Sequence, residues 1–182
     1  MSSNMFSKSV AIVGMTGTGK NYNLDVMFLR KMPSKKKYIA DVSREYNIPF
    51  YGIDNFMEKL VQQKVTVMPD KTKRIELITK VKDSLIVIDE ATLFFDSHKN
   101  KELEHLLVSK RHDNNFIILL FHSLSDFPPT IKRKIDYIVL LKTADDEPAI
   151  IKKFGRDTIV HKCFLELQES PNLHDKRIIK LI

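Results

Sequence analysis

The apolar run Val10-Ala11-Ile12-Val13 leads straight into Gly14-Met15-Thr16-Gly17-Thr18-Gly19-Lys20-Asn21, and no other stretch constrains the chain as much. Three glycines fall in this short segment, out of 5 in the whole chain. Glycines let successive backbone N–H groups point into one concavity, and a helix opening at Lys20 adds the positive end of its dipole. The spacing Gly14…Gly19-Lys20 fits the G-x-x-x-x-G-K pattern of a phosphate-binding loop, with Lys20 a point charge for β- and γ-phosphates. Asn21 stands where Ser or Thr commonly holds Mg²⁺; its amide oxygen suits a hard cation but reaches further than a hydroxyl. The candidate ligands of ATP are Gly14, Thr16, Gly17, Thr18, Gly19, Lys20 and Asn21. The competing reading, a glycine turn beside a chance lysine, leaves the strand–loop–helix context unexplained.

A second stretch, Leu85-Ile86-Val87-Ile88-Asp89-Glu90, ends an apolar run with two adjacent carboxylates. Such a run reads as a strand buried on both faces of a parallel sheet. Ligands of open α/β sheets bind beyond the carboxyl ends of the strands, so both acids would emerge beside the phosphate loop. Asp89 is placed to organise Mg²⁺, together with Asn21, and Glu90 to polarise an attacking water. The bland alternative makes Asp89 a cap and Glu90 a solvated side chain.

Between and beyond these landmarks the pattern alternates. Strands are expected at Ser9–Val13, Tyr38–Val42, Leu85–Ile88, Phe116–Phe121 and Tyr137–Leu141, with helices at Asn21–Lys31, Asn55–Gln63, Thr72–Lys82, Glu102–Lys110 and a short one ending in Lys132-Arg133-Lys134. Asn47–Ile53 reads as a loop or edge strand and Val65–Met68 as a short strand. Near the C-terminus, Pro148–Phe154 reads as a helix, and Val160–Gln168 and Ile178–Ile182 as peripheral strands. Strands alternating with helices imply parallel connections and a three-layer α/β architecture. A strand inserted between the phosphate-loop strand and the acid-bearing strand would make the sheet RecA-like, of the additional-strand kind. Residues 1–142 would form the core, and 143–182 an extension of the same domain.

The 182 residues carry a formal charge of +7, with basic clusters at Lys35-Lys36-Lys37, Lys71/Lys73/Arg74, Lys132-Arg133-Lys134 and Lys152-Lys153. An acidic partner such as nucleic acid fits this balance, and so do solvated helix faces. The single cysteine, Cys163, sits in an apolar run; it excludes an internal disulfide framework and reads as a buried, inert thiol. No apolar stretch is long enough to span a membrane, and a cytoplasmic location is the expectation.

The layout resembles the FtsK–HerA superfamily of P-loop ATPases over roughly residues 8–142. That superfamily includes DNA pumps, viral genome-packaging ATPases and filamentous-phage assembly proteins related to zonula occludens toxin. Beyond the two nucleotide motifs, the resemblance rests on Lys110-Arg111-His112, on Phe116–Phe121 ending in His122-Ser123, and on Phe127-Pro128-Pro129 followed by a basic helix and Tyr137–Leu141. It implies that Arg111 is an arginine finger acting on a neighbouring subunit's ATP and that His122 occupies the sensor position, where the family usually has Gln. It also implies a homo-oligomeric ring around double-stranded DNA, with Lys35–Lys37 and Lys71–Arg74 as candidate DNA contacts. The small size is most like the viral packaging branch, with a capsid or membrane vertex as a further partner. Arg111 read alone also fits a helix-terminal cation that complements the dipole. Three other functions stay open: a small nucleotide kinase, a nucleotide-binding assembly switch without efficient turnover, and the filament-assembly role. The toxin-related proteins usually carry a membrane span that this sequence lacks.

Overall fold

A computed structural model describes residues 7–32, 36–40, 81–94 and 101–182. The expected elements between 41 and 80, and the basic cluster Lys71–Arg74, lie outside the described residues.

Six strands form one sheet: β1 Ser9–Val13, β2 Lys36–Ala40, β3 Ser84–Ile88, β4 Phe116–Phe121, β5 Tyr137–Leu141 and β6 Lys176–Lys180, in spatial order β2-β3-β4-β1-β5-β6. The first five are parallel; β6 pairs antiparallel with β5 at the edge. β4 is therefore the strand inserted between the phosphate-loop strand β1 and the acid-bearing strand β3. Register holds these three together, with Val13 opposite Phe121 and Ile88 opposite Leu119. Their carboxyl ends, and the residues that follow, open on the same edge of the sheet.

The strands read as unbroken apolar runs because both faces are covered. Side chains alternate between faces. Ala11, Val13, Ile86, Ile88, Leu119 and Phe121 join one core, against α2 Lys101–Ser109, α3 Pro129–Lys132, α4 Glu147–Phe154 and α5 Ile159–Glu169. Val10, Ile12, Leu85, Val87, Ile118 and Leu120 join the other, where Leu24, Phe28 and Leu29 of the first helix cover them. Each buried Val, Leu, Ile or Phe among them contributes about 1.5–3 kcal/mol, so neither face could be left bare. Helix, sheet and helix make the three layers.

Two expectations need correction. The first helix is α-helical only over α1, Lys20–Leu24, and continues as a π-helical turn through Asp25–Leu29. Val160–Gln168 is no strand: it lies in α5, where Val160, Cys163, Phe164 and Leu167 are buried on one stripe. Those positions follow the helical period, and the Thr158 side chain caps the helix by accepting from the His161 N–H at 3.3 Å. Cys163 is buried, and desolvation pushes its thiol pKa up, which disfavours the reactive thiolate.

A polar clasp closes the sheet edge opposite the phosphate loop. Lys110 Nζ, directly after α2, donates to Asp136 Oδ2 at 2.6 Å, to Ser9 Oγ at 2.5 Å and to the Lys134 carbonyl at 2.9 Å. Asp136 Oδ2 also accepts from the Ser9 N–H at 2.8 Å, so α2, β1 and β5 are tied at one buried carboxylate.

Candidate functional site

The phosphate loop hangs from the strand ends on either side of it. The Gly14 N–H donates to the Phe121 carbonyl at 3.1 Å, and the Met15 N–H to the Lys142 carbonyl at 3.0 Å. Gly14 is required by space: a Cβ there would lie 2.5 Å from Thr18 Oγ1 and 2.9 Å from Leu141 Cβ. Gly17 and Gly19 are required by conformation, with φ of 85° and 92°. Thr18 turns inward, fully buried, and donates from Oγ1 to the Met15 carbonyl at 2.8 Å. Its side chain shapes the loop from beneath.

Above the loop lies a cavity of about 510 Å³, lined by Thr16, Gly17, Gly19, Lys20, Asn21, Tyr22, Asp89, Glu90 and His122. The two sequence landmarks, separated by some seventy residues, thus meet in one space. Lys20 Nζ donates to the carbonyls of Gly14 at 2.6 Å and Met15 at 3.3 Å, and reaches His122 Nδ1 at 3.3 Å. His122 Nε2 contacts Glu90 Oε1 at 2.5 Å. Lysine can only donate, so Nδ1 accepts and Nε2 carries the hydrogen that goes to Glu90. The result is a chain from Lys20 through the imidazole to the carboxylate.

Glu90 holds a left-handed backbone, φ 48°, immediately after β3, and its N–H donates to Asp89 Oδ1 at 2.9 Å. A non-glycine residue in this region is uncommon and costs energy that the surroundings must supply. Here the turn aims two successive carboxylates at one cavity. Asp89 is almost fully buried. A carboxylate and an amide oxygen beside a phosphate cradle fit Mg²⁺, which takes one or two protein ligands and fills its shell with phosphate and water. Asp89 and Asn21 are the residues that would hold it.

Not every sequence candidate lines the cavity. Gly14 and Thr18 build its floor, and Arg111 is remote. Arg111 follows α2 on the amino-terminal side of β4 and is exposed, across the sheet from the loop. The length of β4 alone separates them by about 20 Å. The structure also adds residues that the sequence did not point to. Tyr22 lines the cavity while remaining 67% exposed. The C-terminal segment braces the loop: His174 Nδ1 donates to the Thr18 carbonyl at 3.3 Å, and Lys176 Nζ to Asn23 Oδ1 at 2.6 Å. Asn23 in turn donates to the Gly19 carbonyl at 2.9 Å.

The phosphate loop on β1, the acid pair ending β3 and the polar end of β4 between them are the layout of an additional-strand P-loop NTPase, in keeping with the resemblance to the FtsK–HerA type. The family of Zonular occludens toxin (Zot) matches residues 12–146, and the chain belongs to that family. Among solved structures, the genome-packaging NTPase B204 from Sulfolobus turreted icosahedral virus 2, in complex with ATP-gammaS, is 18% identical, with a TM-score of 0.64, over 98% of this chain and 94% of that one. The N-terminal domain of zonular occludens toxin from Neisseria meningitidis is 17% identical, TM-score 0.58, over 96% and 94%. VirB4 of Thermoanaerobacter pseudethanolicus is 11% identical, TM-score 0.59, over 96% and 89%. At such identities the likeness speaks for the fold. No curated protein matches the chain by sequence. Among the described residues, no helix is long and apolar enough to cross a membrane.

Proposed function

We propose that the chain is an ATP-hydrolysing, ring-forming DNA translocase of the genome-packaging type. The observation that carries this reading is the Lys20–His122–Glu90 chain spanning the mouth of the phosphate cradle beside Asp89. A triphosphate entering the cavity competes for Lys20, which is now shared among loop carbonyls and His122. Loss of Lys20 from His122 leaves Nδ1 open as an acceptor for the attacking water, while Nε2–H keeps Glu90 in place to orient and polarise that water. Asp89 and Asn21 would hold Mg²⁺, which would supply positive charge to the bound phosphates. Arg111 acts on the neighbouring subunit's ATP, because its own cradle lies across the sheet. Hydrolysis then depends on assembly.

Glu90→Gln tests the assignment by separating binding from chemistry. ATP affinity should stay within a few-fold of wild type while phosphate release falls by about 10²–10⁴. An equally active Glu90→Gln protein would remove Glu90 from the base role.

A second reading draws on the Zot family match over residues 12–146: an ATPase that drives filamentous-phage assembly. Single-stranded DNA, in place of duplex, would then stimulate turnover. Tight ATP binding with no turnover on either DNA would favour the nucleotide-switch alternative.

A further inference from the structure

Positive charge also converges away from the nucleotide cavity. A groove of about 500 Å³ runs between α3 and α4, with Lys132 and Arg133 on one side, Lys152 and Lys153 on the other, and Ser125 and Pro129 in its wall. Two of these cations are held in place. Lys132 Nζ donates to the Lys153 carbonyl at 2.7 Å and lies 4.7 Å from the centre of the Phe154 ring. Lys153 Nζ donates to the Ser125 carbonyl. Arg133 and Lys152 are exposed.

The acids nearby do not balance them. Asp126 and Asp145 attract Lys153, and Lys132 repels it. Asp145 is already committed to the backbone N–H groups of Leu124 at 2.7 Å and Ser125 at 3.0 Å. Lys152 and Lys153 complement the carbonyl end of α4, which accounts for two of the cations. It does not account for Lys132 and Arg133 approaching them from another helix. Like charges gathered over one groove are unfavourable unless an anion lies between them. The spread of cations over two helices suits a repeating anion better than a single one.

We propose that this groove binds the phosphodiester backbone of DNA, contacting phosphates without reading bases. The proposal rests on the translocase reading and names a surface for it. The β4–α3 loop links the groove to the nucleotide: it begins at His122, in the nucleotide cavity, and passes through Ser125, on which Lys153 docks. The nucleotide cavity and the groove wall thus share one short loop, His122 to Ser125.

The test uses a fluorescent mixed-sequence duplex, titrated with full-length protein over a range of salt. Arg133→Gln/Lys152→Gln removes two exposed charges from the groove, and Lys162→Gln/Lys180→Gln removes two exposed charges elsewhere. The groove variant should bind duplex about tenfold more weakly, and the slope of log affinity against log salt should flatten by about two. The control should change little, and ATP affinity should be unchanged in both, which shows that each is folded. Equal loss in the two variants, or none in the groove variant, would overturn the groove while leaving the translocase reading standing. Displacement of DNA by poly-glutamate of equal charge at equal concentration would also overturn it, in favour of an acidic protein partner. A wild-type protein with no affinity for duplex would sink both readings together.

Discussion

His122 is the residue on which the site turns. It bridges the lysine of the phosphate loop and the carboxylate that follows β3, with a tautomer set by its two partners. Glutamine can reproduce both contacts, its oxygen facing Lys20 and its amide facing Glu90. His122→Gln should keep turnover within about tenfold of wild type, whereas His122→Ala should lose about 10²-fold or more. Steady-state ATP hydrolysis checks the pair, and equal activity of both variants would deny His122 a positioning role. The residues of this bridge were legible because each ends a recognisable strand or loop pattern. Asn23, His174 and Lys176 were not, because their contacts span more than 150 residues of chain and no local signal marks them.

Among the elements, the sharpest reading concerned strands buried on both faces. β4 and β5 begin and end where continuous apolar runs begin and end, and β1 adds only Ser9 ahead of its run. α5 departs from the strand expected over Val160–Gln168 for the opposite reason: its apolar residues mimic a strand run until the stripe Val160, Cys163, Phe164, Leu167 and the Thr158 cap are taken together. The clasp at the far edge was also invisible, because it joins Ser9, Lys110 and Asp136 from three elements. Burial raises the Asp136 pKa, but hydrogen bonds from Lys110 and Ser9 outweigh that and hold it below the ordinary carboxylate value. A depressed folded-state pKa contributes stability that is present above the unfolded value near 4 and lost as pH falls through the folded one. Asp136→Ala leaves the Lys110 ammonium buried without its partner and should cost about 3–5 kcal/mol. Replacing both, as Lys110→Met/Asp136→Leu, should cost much less and weaken the acid sensitivity below about pH 4. Denaturant unfolding at pH 7 and pH 3.5 measures both effects. A double variant as unstable as Asp136→Ala would show that the clasp does more than neutralise itself.

For the whole molecule, the alternation of strands and helices carried the three-layer, mostly parallel sheet, and the place of β4 between β1 and β3 follows the additional-strand pattern. What no local pattern could supply was the edge on which each candidate sits. Glu90, Lys20 and His122 share the carboxyl edge; Arg111 lies on the other. A single subunit therefore lacks an arginine at its own cradle from that source, and the ring account makes the neighbour supply it. Arg111→Ala should leave ATP affinity intact while lowering assembled turnover by up to about 10³–10⁵.

The most direct test is ATP hydrolysis by the purified chain, with and without double-stranded DNA, across protein concentration, beside Lys20→Ala and Glu90→Gln. Turnover should rise with DNA and more than linearly with protein, and should disappear in both variants. Turnover indifferent to DNA and strictly proportional to protein, or ATP binding without turnover under every condition, would contradict the translocase reading.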